Sequence, residues 1–279
     1  MSVKGLLFCR FNVGEISSNC IDFIGFGWLH WINIIYRFLK GLLMSQTFES
    51  IFKDNVKRMH YQVDGLSSDK SHIQVIIWPT FSGLTDFEKG VADRIASMGF
   101  SATALDLYGM GQNPVEMDEK KAKMGALLAE ADPLHGLQKE LTESACDAIH
   151  GKTIVHVGFC LGGRLALEAG LHLADSAGAA SFHGLMSFFR AQSEEKANTK
   201  TKIMVLNGYE DPLVNESEAQ EAKRYWAGLG MDFQYIDFAS TMHSFMLPSA
   251  DSPEHGSQYN PLTAQRGYQY LEHFLEEFV

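Results

Sequence analysis

From about residue 58 onward, short apolar and β-branched runs alternate with longer stretches whose apolar residues recur every three or four positions. Arg58–Val63 (RMHYQV) predicts a short strand turning at Asp64-Gly65. His72–Trp78 (HIQVIIW) is nearly continuous in apolar residues, as expected for a strand covered on both faces, and it stops at Pro79. The loop TFSGL leads into residues 86–98, where Phe87, Val91, Ile95 and Met98 fall at helical spacing and Gly99 stands where a helix C-terminal cap belongs. Ser101–Leu107 (SATALDL) is the next predicted strand and YGMGQNP a loop. Helices are expected over 120–130 and 137–149, a strand over 152–157, a helix over 164–173, and strands over 178–183 and 202–206. A helix over 216–229, a strand over 233–238 and a closing helix over 262–278 complete the pattern. Strands separated by helices of roughly 10–15 residues predict an α/β fold, a mostly parallel central sheet with helices on both faces.

Composition narrows this picture. With 46% hydrophobic and 20% charged residues, 279 residues suffice for a sizeable core. The 23 Lys+Arg and 34 Asp+Glu give a net charge of −11 without any long basic run, which excludes nucleic acid as a partner. Cys9, Cys20, Cys146 and Cys160 form no C-x-x-C pair, so neither a zinc module nor a disulfide framework is suggested, and a reducing, cytoplasmic setting follows.

Residues 1–44 differ in character. Lys4, Arg10, Arg37 and Lys40 against Glu15 and Asp22 make this segment +2, which leaves −13 of the total −11 for residues 45–279. Residues 20–44 are apolar but interrupted by Asp22, His30, Asn33, Arg37 and Lys40, short of a clean span of roughly 20 apolar residues. No small-residue cleavage site follows, against a signal peptide. Three readings stand: an anchor or membrane-surface helix, an amphipathic helix packed on the domain or a partner, or residues upstream of a true start at Met44. Membrane association is expected only through residues 20–44. The chain therefore divides into an N-terminal extension, 1–44, and one domain, 45–279.

Chemistry concentrates in Val155–Ala169, VHVGFCLGGRLALEA, where a predicted strand runs through G-x-C-x-G-G into a helix. A nucleophile elbow requires this: a strained turn lifts the nucleophile above the sheet, and crowding demands small residues two before and two after it. Gly158 and Gly162 hold those places around Cys160. The Leu161 amide, at the helix start, is free to donate to a developing oxyanion, and the helix dipole favours negative charge there. A thiol nucleophile needs a base, and the base an orienting acid. NGYEDPLV sets Glu210 and Asp211 after one strand, and ASTMHSF sets His243 after the last, in the order nucleophile, acid, histidine known from α/β-hydrolases. The spacing leaves Glu210 and Asp211 open. The remaining histidines, His183 among them, read as structural or solvated.

From about residue 58 the chain resembles the dienelactone hydrolase family of α/β-hydrolases, through WPTFSGLTDFEKGVADRIASMGFSATALDLYGMG, VGFCLGG, NGYEDPLV and STMHSF in the family's order. The resemblance implies a Cys-Asp-His triad at Cys160, Asp211 and His243, with oxyanion donors in the main-chain amides of Leu161 and Phe81. It implies cleavage of a small ester or lactone, up to carboxymethylenebutenolidase-type activity, without metal or organic cofactor. Two positions depart from the family. Thr80 aligns with a glutamate that pairs with the resting cysteine, and Met246 and Leu247 stand where an arginine holds the substrate carboxylate. Loss of that guanidinium removes a bidentate clamp and separates the substrate from the family's dienelactones.

Three other readings compete. Glutamine amidotransferases share a G-x-C-x-G elbow, but their H-x-E pairing is absent after His243 and His273. A non-catalytic or redox-sensing member of the fold would use Cys160 only as a reactive thiol. A dinucleotide site lacks its G-x-G-x-x-G.

Overall fold

The computed structural model describes residues 45–51, 56–129, 131–145, 152–187 and 197–279. The extension 1–44, with its three readings and the candidate membrane segment 20–44, lies outside the described residues. Among the described residues no helix is long and apolar enough to cross a membrane.

Eight strands form one sheet: β1 (Ser45–Ile51), β2 (Lys57–Val63), β3 (Ile73–Trp78), β4 (Ser101–Ala104), β5 (Thr153–Phe159), β6 (Ser176–Phe182), β7 (Lys202–Gly208) and β8 (Phe233–Phe238). Their spatial order is β1-β2-β4-β3-β5-β6-β7-β8. The β1–β2 and β2–β4 pairs are antiparallel, and every pair from β4–β3 to β7–β8 is parallel. The expected mostly parallel sheet is therefore present, with an antiparallel edge that the apolar pattern did not announce in Ser45–Ile51.

Among the described residues, six α-helices cover it: α1 (Asp86–Ser97), α2 (Met117–Ala129), α3 (Ala131–Ser144), α4 (Leu161–His172), α5 (Glu216–Gly228) and α6 (Pro261–Glu276). All six residues of β3 are buried, and they alternate between two cores. Ile73, Val75 and Ile77 pack with Val91 and Ile95 of α1 and Leu271 and Phe274 of α6, while Ile76 and Trp78 pack with Leu141 of α3 and Leu165 of α4. The second face continues through Leu167 and Leu171 of α4 to Ala222 and Trp226 of α5. Each such aliphatic side chain, fully buried, contributes roughly 1.5–3 kcal/mol. A continuous apolar run is what a strand between two helical layers needs, so β3 was readable.

Two elements end differently from the pattern. The strand expected over 101–107 stops at Ala104, because Asp106 turns inward and accepts the amides of Met59 and Gly109, both at 2.9 Å, while its own amide donates to His60 Nδ1. The helix expected over 137–149 is α3, which begins earlier and ends at Ser144; residues 146–151 lie outside the described residues. A small hairpin, β9 (Asp251–Ser252) with β10 (Ser257–Gln258), follows the last sheet strand.

Candidate active site

The C-terminal ends of β3, β5, β6, β7 and β8 converge, and each carries a polar group. Cys160 directly follows β5 and opens α4 with φ 56 and ψ −118, a conformation an L-residue adopts only under strain of about 1–3 kcal/mol. The flanking glycines are required sterically. A Cβ on Gly158 would lie 1.9 Å from the Gly162 carbonyl oxygen, and one on Gly162 would lie 2.1 Å from the carbonyl oxygen of Trp78. The thiol is buried, at 7% exposure. The Leu161 amide, first in α4, donates to no other described protein group.

Asp211 lies in the loop after β7, and His243 in the loop after β8. His243 Nδ1 is 2.7 Å from Asp211 Oδ2, with both residues buried. The second carboxylate oxygen of Asp211 accepts the Leu213 amide at 2.8 Å. Glu210 points to solvent, so of the two acids only Asp211 meets the histidine. The two loops are tied by the backbone: Glu210 N–H donates to the Thr241 carbonyl at 2.9 Å. The hairpin clamps His243 from both sides, its amide donating to Gly256 O at 2.9 Å and its carbonyl accepting from Gln258 N at 3.0 Å. Gly256 also abuts Pro212, where a Cβ would stand 2.4 Å from the ring, so one strap supports base and acid loop together.

The His243 ring's other nitrogen, Nε2, is buried, and Cys160 acts on the ring through its charge and as a hydrogen-bonding neighbour. Burial opposes charge on this imidazole. The negative charge of the Cys160 thiolate and the hydrogen bond to Asp211 outweigh it and hold the histidine pKa up to about 10. The arrangement thus favours a protonated His243 beside Cys160.

The loop after β3 is held by its own network. The Thr80 amide donates to the buried Glu88 carboxylate at 3.1 Å, which also accepts the Thr85 amide at 2.9 Å and hydroxyl at 2.5 Å as the capping box of α1. Thr80 O accepts from Gly83 N at 3.0 Å, and Phe81 O accepts from the Tyr108 hydroxyl at 3.2 Å. The Phe81 amide between them donates to no other described protein group. Burial, and then the charge of Cys160, push the Tyr108 phenol up to about 12, which puts this ring near the thiol. Thr80 turns its hydroxyl to the Ser82 amide at 3.3 Å. The carboxylate at this loop comes from α1 rather than from position 80. Met246 is buried against Gly267 and Leu247 is half-buried on the apolar core, so neither presents a charge.

His183, expected from the sequence to be structural or solvated, is buried next to the thiol. It immediately follows β6, fully buried, and its Nδ1 accepts the Cys160 amide at 3.1 Å. A signal for it existed: it stands in F-H-G at the C-terminal end of a parallel strand, the edge where open α/β sheets bind ligands. His60 and His156 are buried structural residues as expected, held by burial at pKa values of about 4 and about 3. His156 bridges Trp78 Nε1 and the Ser176 hydroxyl. Among the described residues no three His, Cys, Asp or Glu side chains converge as a metal site.

Residues 65–279 match the model of the Dienelactone hydrolase family. No curated protein matches the chain. Among solved structures, m3DLH is similar with 23% identity and a TM-score of 0.71, over 84% of this chain and 98% of that one. A dienelactone hydrolase-like promiscuous phosphotriesterase from metagenomic libraries is similar at 19% identity with a TM-score of 0.73, over 84% and 98%. A thermophilic esterase from the planctomycete Thermogutta terrifontis, solved with propionate bound, is similar at 14% identity with a TM-score of 0.53, over 83% and 94%.

Proposed function

Given that this chain belongs to the dienelactone hydrolase family and is an ester hydrolase of that type, we propose that it cleaves small esters or lactones through Cys160, His243 and Asp211. Cys160 Sγ, as thiolate, attacks the substrate carbonyl carbon, and the Leu161 and Phe81 amides donate to the oxygen that becomes anionic. His243 gives its proton to the departing alkoxide, leaving a thioester on Cys160. His243 then removes a proton from water, which attacks the thioester carbonyl. Collapse breaks the C–S bond, releases the acid and expels the Cys160 thiolate, while the proton taken from water stays on His243 and the starting pair is restored. Asp211 holds the ring through Nδ1, which keeps Nε2 on the reacting side, and stabilises the imidazolium. The reaction uses no metal or organic cofactor.

One observation carries this reading: the 2.7 Å contact of His243 Nδ1 with buried Asp211, in a ring whose charge responds to Cys160 at a strained strand-to-helix turn. Leu247 gives no guanidinium to hold a substrate carboxylate, so simple esters and uncharged lactones are favoured over dienelactones bearing that group.

The test is Cys160→Ala assayed with p-nitrophenyl acetate and a panel of small lactones. Turnover should vanish while the circular dichroism melt stays within a few degrees of wild type. Retained ester turnover in the variant rejects Cys160 as nucleophile. A wild-type protein whose Cys160 labels with a thiol reagent but turns over no ester is instead a thiol sensor on this fold.

A further inference from the structure

Two histidines meet at the thiol. Besides His243, His183 follows β6 with φ 40, in the left-handed region that residues with side chains rarely use. Its own amide is pinned to the Leu206 carbonyl of β7 at 2.8 Å. Its Nδ1 accepts the Cys160 amide at 3.1 Å, in a bond shared with the Phe182 carbonyl at 3.0 Å. A ring nitrogen that accepts carries no proton, so in the neutral ring the proton is on Nε2. That Nε2 is buried and has no hydrogen-bond partner. The ring stands edge-to-face with His243, centroids 5.0 Å apart at 72°, and with Phe245 at 5.1 Å and 80°.

Left-handed backbone and an unsatisfied buried donor both destabilise, and such features persist where the surroundings over-determine them. Here they fall on one side chain touching the nucleophile's amide and the base's ring. Burial, and then the charge on His243, keep His183 well below its ordinary pKa. The two imidazoles therefore occupy opposite protonation states at neutral pH.

We propose that His183 is a positioning residue: its Nδ1 fixes the Cys160 amide and so the strained elbow that sets the thiol beside His243. Because its one lone pair is already engaged, it does not compete with His243 for the thiol proton. The proposal rests on Cys160 and His243 being nucleophile and base.

Two substitutions separate this role from packing. His183→Asn keeps an acceptor where Nδ1 stands and tolerates positive φ, whereas His183→Phe keeps a ring and loses the acceptor. In the full chain, kcat and KM for p-nitrophenyl acetate are measured with the melting temperature. Iodoacetamide alkylation of the Cys160 peptide is followed by mass spectrometry across neutral pH. His183→Asn should stay within about threefold of wild type in kcat with an unchanged alkylation profile, and a folded His183→Phe should lose about 10- to 100-fold in kcat with KM within about twofold and slower alkylation. A folded His183→Phe that matches wild type, or a folded His183→Asn that loses more than about tenfold, overturns the role. Should His183→Phe fail to fold, His183→Asn decides alone on those thresholds. The underlying reading fails separately, by turnover surviving Cys160→Ala, whatever the position-183 variants do.

Discussion

On the β3–β5–β6 side of the site, groups are held by hydrogen bonds to backbone rather than by pairs of opposite charge: Tyr108 to the Phe81 carbonyl, His183 to the Cys160 amide, and Glu88 accepting from the Thr80 amide. On the β7–β8 side, Asp211 and His243 hold each other through opposite charges, and a hairpin clamps the histidine's backbone. The two histidines display the contrast. His183 Nδ1 accepts a hydrogen bond from an amide and the ring is held neutral, while His243 Nδ1–H donates one to a carboxylate and the ring is held charged, although the rings are only 5.0 Å apart. Burial is nearly equal and opposes charge in both; the sign of the partner decides which is protonated. If this division is real, damage to the charged half should change how activity depends on pH, and damage to the neutral half should change rate alone.

The largest effect is expected from Asp211→Asn. The amide keeps the shape but removes the charge that orients and stabilises the His243 imidazolium, and a loss of about 10²- to 10⁴-fold in kcat is expected by analogy with other triads. The same variant reports on stability. His243 keeps its proton to about pH 10 in the fold, against an ordinary value of 6.5. The stabilisation linked to that proton is complete below about pH 6.5 and disappears as pH rises through about 10. Wild-type melting temperature should therefore decline over that interval, and Asp211→Asn should flatten the decline. An equally steep decline in the variant would place the linkage on another group.

How much of this was legible varied with the range of the contacts. β3 and β5 were visible because a strand buried on both faces needs no partner to look apolar, and the elbow was visible because Gly158, Cys160 and Gly162 are local. The order of thiol, acid and histidine was legible too. Spacing left Glu210 and Asp211 open because the choice is made by which side chain turns inward against His243, a residue 32 positions from Asp211. β1 and the β9–β10 hairpin were missed: one is an edge strand of mixed polarity, the other only two residues per strand. Glu88 is an acid in the first turn of α1, and its hold on Thr80, eight positions away, exists only once the loop after β3 folds back on that turn. His183 was passed over among ten histidines of equal standing, since a single residue after a weak strand shows no pattern until β5 and β6 are paired.

On the neutral half, Glu88→Gln should act through the Phe81 amide. Glu88 accepts three donors, and an amide in its place turns N–H groups toward at least one of them. Leaving a buried donor unmatched costs about 1–3 kcal/mol, or roughly 2–10 °C in melting temperature for a domain of this size. With Phe81 the proposed oxyanion donor, a loosened loop should lower kcat about tenfold, less than outright loss of a donor, with KM little changed. The pH dependence of kcat should keep its wild-type shape; a shifted profile would mean that the Glu88 charge reaches His243 and would erase the division between the halves.

Tyr108→Phe should be the mildest change and the sharpest discriminator. It removes one partly buried hydrogen bond to Phe81 O, worth about 0.5–1.5 kcal/mol, and so a few-fold loss in kcat. The phenol lies close enough to Cys160 for its charge to be felt, and burial with that charge keeps the proton on the oxygen to about pH 12. A group that stays protonated throughout the working range positions the loop but does not shuttle protons. The variant's pH–rate curve should therefore overlay that of wild type after scaling by a constant. If its alkaline limb moves instead, Tyr108 exchanges a proton with the Cys160–His243 pair, and the neutral half of the site takes part in the acid–base chemistry.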